Sequence, residues 1–180
     1  MNYHDIKKDD MSNGDGLRVT LFLSGCNHHC EGCHNTETWG CDSGIEFDIN
    51  ARQEIIELLK KDYISGLTLS GGDPLHKNNL VGVLSLLNKI RILFGDTKSI
   101  WLYSGYKWEE IFPTVVLDWL RVDDSLRKEI VSLCDVFVDG RFVKELADVN
   151  YKWAGSKNQR VIDVQKSLQQ NNIVLKDEEK

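Results

Sequence analysis

No apolar run in the 180 residues approaches the length of a membrane span. Residues Met1 to Asp10 carry charges where a signal peptide needs an apolar stretch, so a cytosolic chain is expected. A basic surplus is missing too: 22 Lys and Arg face 28 Asp and Glu, a net charge of −6, which argues against a nucleic-acid surface. Cysteine is scarce and unevenly spread. There are five, an odd number, and Cys26, Cys30 and Cys33 cluster while Cys134 lies far off. That pattern excludes the even, dispersed framework of a disulfide-stapled secreted domain. Internal repeats and low-complexity blocks are also absent. What remains, at 41% hydrophobic residues, is a globular chain that buries a real core and has the length of one domain.

Strand and helix patterns alternate along it. Leu17 to Ser24 (LRVTLFLS) reads as a buried strand that stops at Gly25, and a polar loop follows to about Gly44. Asn50 to Lys61 carries Ile55, Ile56, Leu58 and Leu59 at helical spacing, with Asn50 as candidate cap. Leu67 to Ser70 is a short strand running into Gly71-Gly72, and a second helix is predicted from about Asn78 to Phe94. Ser99 to Ser104 and Asp135 to Asp139 are further strands, separated by helical material over about Trp108 to Leu133 that breaks near Pro113. Val161 to Val164 and Ile173 to Leu175 suggest short additions, and the charged tail from Lys176 is expected to fray. This order predicts an α/β domain with a largely parallel sheet. With so few strands, an incomplete TIM-like βα barrel is expected. The unusual residues follow the C-terminal ends of the strands, the edge where such sheets bind ligands.

The first of these features is Cys26-Asn27-His28-His29-Cys30-Glu31-Gly32-Cys33, a CxxxCxxC loop. Three thiolates can hold three irons of a [4Fe–4S] cube. The fourth iron is then open and can chelate an amine and a carboxylate, which the methionine end of S-adenosylmethionine (SAM) supplies. A structural zinc site is the bland alternative, completed by His28, His29, His34 or Cys41. Zinc loops usually pair two ligand hairpins, however, and no second one is present. Cys41 as a fourth cluster ligand would close the site and leave the glycine-rich turn without a ligand. Cys134, beside an apolar strand, reads as a core residue.

The second feature is Ser70-Gly71-Gly72-Asp73-Pro74-Leu75, where glycines let backbone approach a ligand and Asp73 can accept from an ammonium group. By itself it is an ordinary βα turn, and its weight comes from the cysteine loop before it.

Together these motifs resemble the radical SAM superfamily. More closely, the chain resembles the activating proteins of anaerobic (class III) ribonucleoside-triphosphate reductase. The residues carrying that likeness are Met1 to His4, Asn13 to Arg18, Thr20 to Cys26, Thr38-Trp39, Ser70 to His76, Ile100 to Lys107, Val138 to Gly140 and Trp153 to Arg160. The likeness covers about residues 1 to 163. It implies that Cys26, Cys30 and Cys33 ligate the [4Fe–4S] cluster, and that Gly32, Cys33 and His34 contact SAM near its adenine. Gly71, Gly72 and Asp73 would hold the methionine amine, with Ser104 towards the ribose or carboxylate. It further implies a flavodoxin or similar one-electron donor. The partner would be the large reductase subunit, on which a glycine near the C-terminus becomes a radical. The chain departs from the family at Asp15, where Pro is usual, at His34, where an aromatic is common, and at Ala154, where Arg is usual. The segment around Leu117 to Arg127 looks longer, and about 166–180 is expected to be a flexible extension of a single domain. An activase of pyruvate formate-lyase type, a radical SAM enzyme acting on a small molecule and a zinc-stabilised binding module are the rival readings. Trp39, Trp101, Trp108, Trp119 and Trp153 are expected to pack a core or partner face, and His28, His29 and His76 to be solvated loop residues.

Overall fold

The computed structural model describes residues 1–113 and 122–176. In chain order it contains β1 (Asn2–Asp10), β2 (Arg18–Leu23), β3 (Ile45–Glu46), α1 (Ile49–Leu59), β4 (Gly66–Gly71) and α2 (Leu80–Phe94). There follow β5 (Ser99–Tyr103), α3 (Trp108–Ile111), α4 (Val122–Ser132), β6 (Val136–Asp139), β7 (Arg160–Asp163) and α5 (Val164–Gln170). One sheet of seven strands runs β3-β1-β2-β4-β5-β6-β7. The β2-β4-β5-β6 centre is parallel, while the β1–β2, β1–β3 and β6–β7 pairs are antiparallel. The fold is therefore mixed α/β, with a parallel centre built by helical crossovers.

Alternation along the strands divides the sheet into two unlike faces. Val19, Leu21, Leu23, Leu67, Leu69, Ile100, Leu102, Phe137 and Ile162 join residues from all five helices in the main core. The residues between them turn the other way. Trp101, Val136, Val138 and Val161 form a second cluster there with Tyr103, Trp153 and Ala154. Arg18 lies on this second face, fully buried. All five of its N–H donors are used, on Thr68 Oγ1, Ser99 Oγ and the carbonyls of Asp15, Leu67 and Ser99, at 2.7–3.1 Å. Burial pulls its pKa down to about 10.

Several sequence expectations need correction. β1 was not foreseen, because its run NYHDIKKDD buries only Ile6 and Asp10 and lacks the apolar signal of a strand. Pairing with β2 through the backbone supplies what the side chains do not. The cap of α1 is Asp48, whose carboxylate accepts the Ala51 N–H at 2.8 Å; Asn50 already lies within the helix. The supposed extension is folded as far as residue 176: α5 is capped by Asp163, and Leu175 bridges to Ile162. Trp119, the 117–121 part of the longer segment and residues 177–180 lie outside the described residues. No helix among those described is long and apolar enough to cross a membrane.

Candidate cluster and cofactor site

β2 ends at Leu23, and the chain turns over the C-terminal edge of the sheet. Backbone bonds hold the cysteine loop there. Gly25 N–H donates to the Thr38 carbonyl at 2.7 Å and Cys26 N–H to the Trp39 carbonyl at 3.0 Å, so the far end of the loop folds back onto its start. Two further bonds tie it to the strand beside it. Gly72 N–H donates to Leu23 O and Asp73 N–H to Gly25 O, both at 2.7 Å. The glycine pair is required for that approach: Gly71 has φ +96°, and a Cβ on it would stand 2.6 Å from the Leu23 nitrogen. A Cβ on Gly72 would stand 2.6 Å from the Gly25 carbonyl oxygen.

Cys26, Cys30 and Cys33 line one cavity of about 150 Å³ together with Gly71, Gly72, Tyr103, Ser104, Phe142 and Gln159. None of the three is in a disulfide. Burial pushes the Cys26 and Cys30 thiols up, opposed by backbone N–H groups of His28 and His29 at Cys26 and of Phe142 at Cys30. A metal taken up here must therefore displace protons. Among the described residues no three Cys, His, Asp or Glu side chains converge as one metal ion requires. Thiolates that each meet a different iron of a cube need no such convergence. A larger cavity, about 550 Å³, opens at the opposite edge among Ser65, Ser99, Asp135 and Lys176. No cysteine lines it, so size and chemistry point to different places, and chemistry decides.

The other residues singled out in the sequence divide. Gly71, Gly72, Cys33 and Ser104 line the cysteine cavity, whereas Gly32 and His34 are exposed and do not. Asp73 is buried, and its oxygens already accept from Leu75 N–H at 2.8 Å, Ser104 Oγ at 2.9 and 3.0 Å, and Gly105 N–H at 3.3 Å. His28 Nε2 adds a contact at 2.6 Å. Asp73 therefore works first as the knot that joins the cysteine loop to the end of β5. His28 is correspondingly not a solvated histidine: its ring is 8% exposed and meets Tyr106 edge-on at 4.9 Å. His76 is buried too, beside Cys41 Sγ at 3.7 Å, and that burial lowers its pKa. Only His29 fits the expectation of exposure, stacking on Trp39 at 4.6 Å. Cys134 is fully buried, as a core residue should be.

Sequence reasoning missed Tyr103, Phe142, Gln159 and the placement of Trp39 in this cavity. Tyr103 ends β5 and Phe142 follows the end of β6, a positional signal that could have found them. Among the described residues, two buried side-chain polar atoms lack a hydrogen-bond partner, Trp39 Nε1 and Tyr103 OH. Both residues line the cysteine cavity. A buried donor left unpaired costs about 1–3 kcal/mol. The charged groups that act on the Tyr103 hydroxyl are Arg18 and Asp10, at the other end of the strands, so Trp39 Nε1 is the orphaned donor left to the cysteine loop.

Comparison with known proteins agrees with this geometry. Residues 12–162 match the family model described as a 4Fe-4S single cluster domain. The chain is 42% identical over 161 residues to the anaerobic ribonucleoside-triphosphate reductase-activating protein of Vibrio cholerae, covering 88% of this chain and 96% of that one. The protein of the same name in Escherichia coli K12 is 40% identical over 163 residues, covering 89% and 97%. That of phage T4 is 40% identical over 161 residues, covering 89% and 93%.

Proposed function

The chain belongs to the 4Fe-4S single cluster domain family and, within it, to the anaerobic ribonucleoside-triphosphate reductase-activating proteins, and from that premise we propose that it is a radical SAM activase of the anaerobic reductase. Cys26, Cys30 and Cys33 would hold the cluster. When bound, a cluster with one open iron supplies the one-electron reduction that splits SAM and releases the radical able to take hydrogen from a glycine. Every other contribution belongs to the chain. The three thiols give up protons and fix the cluster at the sheet edge. Gly71 and Gly72 bring backbone to the cavity wall, where it orients the methionine amine. Asp73 supports that wall through Ser104, Gly105 and His28. The unpaired donor of the cysteine loop, Trp39 Nε1, offers a hydrogen bond to an acceptor that enters.

The helices pack on one face of the sheet and the thiols sit at its C-terminal edge, an arrangement that supports a partial barrel of radical SAM type. Flavodoxin or a similar carrier is the proposed electron donor, and the large reductase subunit the proposed substrate, with a glycine near its C-terminus presented to the cavity. The observation that carries the reading is the cavity shared by three cysteines and the Gly71-Gly72 turn in a chain of this family. Anaerobic reconstitution with iron and sulfide, followed by electron paramagnetic resonance with and without SAM, tests it. A reduced [4Fe–4S] signal that changes on adding SAM is expected. Tightly bound zinc, or a cluster indifferent to SAM, would refute it.

A further inference from the structure

Trp39 is placed unlike a tryptophan that merely packs. Its backbone carbonyl receives the Cys26 N–H at 3.0 Å, and its ring stacks on His29, the residue before Cys30, at 4.6 Å. The ring thus lies against the neighbour of Cys30, while the Trp39 backbone holds Cys26. Its Nε1–H is buried, has no partner and belongs to a residue lining the cysteine cavity. Indole nitrogen only donates. The hydroxyl of Tyr103, the other orphaned donor, lies in the field of Arg18 and Asp10 instead. A cluster held by the three thiols would bring sulfur acceptors into this cavity.

We infer that Trp39 tunes the cluster, its indole N–H donating a hydrogen bond to a sulfide that the cluster brings into the cavity. The inference rests on the cluster assignment above. A donor aimed at sulfur stabilises the reduced, more negative state and raises the reduction potential, because hydrogen bonds to the sulfurs are one of the protein's means of setting it. Trp39→Phe keeps an aromatic ring against His29 and removes the N–H together with the five-membered half of the indole, so a wild type labelled at the indole nitrogen separates the two effects.

The experiment is a potentiometric titration of the reconstituted holoprotein, wild type against Trp39→Phe, followed by electron paramagnetic resonance. The variant is expected to hold its cluster at a more negative potential. A tenfold drop in the reduced-to-oxidised ratio at fixed poise corresponds to a shift of about 59 mV for a one-electron couple. A purely packing role for Trp39 leaves the potential where it is. A second measurement uses the wild type alone, grown with indole-¹⁵N tryptophan. Among the described residues Trp39 is the one tryptophan lining the cavity, so a ¹⁵N hyperfine coupling to the reduced cluster is expected. Equal potentials in the two proteins overturn the inference. If the variant fails to take up a cluster, the labelled wild type decides, and absence of coupling overturns it. Failure of the wild type to assemble any cluster is a different result, which refutes the cluster assignment itself.

Discussion

At the scale of single residues, the three cysteines that line the cavity are set apart from Cys134, which lies in the core. Cys30→Ala is expected to abolish iron and sulfide uptake and SAM cleavage, read by metal content and by 5′-deoxyadenosine formation. Cys134→Ser is expected to leave both intact. The serine hydroxyl can keep the bond that Cys134 Sγ makes to the Ile130 carbonyl at 3.3 Å, so the cost is confined to a modest loss of thermal stability. Unimpaired cleavage in Cys30→Ala would remove the thiol from the ligand set. Asp73 carries a structural role that residue-level reading of the sequence did not foresee. An acidic side chain after two glycines suggests an ammonium partner, yet the folded chain spends that carboxylate on its own donors. Asp73→Asn replaces one acceptor oxygen by a donor that faces other donors. It is expected to lower the melting temperature, at a cost of about 1–3 kcal/mol, and to weaken SAM binding in parallel, measured by calorimetry. Intact stability with lost SAM affinity would instead assign Asp73 to direct ligand contact.

At the scale of elements, the end of β4 and the loop after β2 behave as one unit. Their joint depends on two backbone bonds and on the absence of a Cβ at Gly71. Gly71→Ala forces an L-residue to φ +96° against the Leu23 backbone. Strain of this kind costs about 1–3 kcal/mol, and the cysteine loop above the joint moves with it. A lowered urea midpoint together with reduced cluster occupancy is the expected outcome; a lowered midpoint with full occupancy would uncouple the two elements. The parallel strands and their helices were legible in the sequence because β-branched runs alternate with segments of helical spacing. β1 was not legible, since a strand with most of its side chains in water carries no hydrophobic period. The cap of α1 was off by two residues for a related reason: Asp48 and Asn50 have equal propensity, and only the backbone turn decides between them.

At the scale of the whole molecule, the antiparallel hairpin of β1 and β2 is closed by a buried acid. Asp10 loses solvation, but bonds from Lys7, Asn13, Thr20 and the Ser12 N–H outweigh that loss and hold its pKa at about 2. A depressed carboxylate stabilises the fold above its unfolded pKa, and that stability is lost as pH falls from about 4 to about 2. Asp10→Asn is therefore expected to be less stable than the wild type at pH 7, by about 1–2 kcal/mol after allowance for the half-exposed Lys7 partner. The gap should close across that acid window, as measured by urea unfolding. A gap unchanged by pH would deny Asp10 this role. What the sequence determined by itself was the class of chemistry and the order of the elements. Thiol spacing and hydrophobic period are local properties, written within a few residues. What only the tertiary structure decided was who shares the cavity. Trp39, Tyr103, Phe142 and Gln159 come from four separate segments, and Asp73 meets His28 and Ser104 across 45 and 31 residues. Contacts at such separations depend on strand order and register, which no local pattern of residues records.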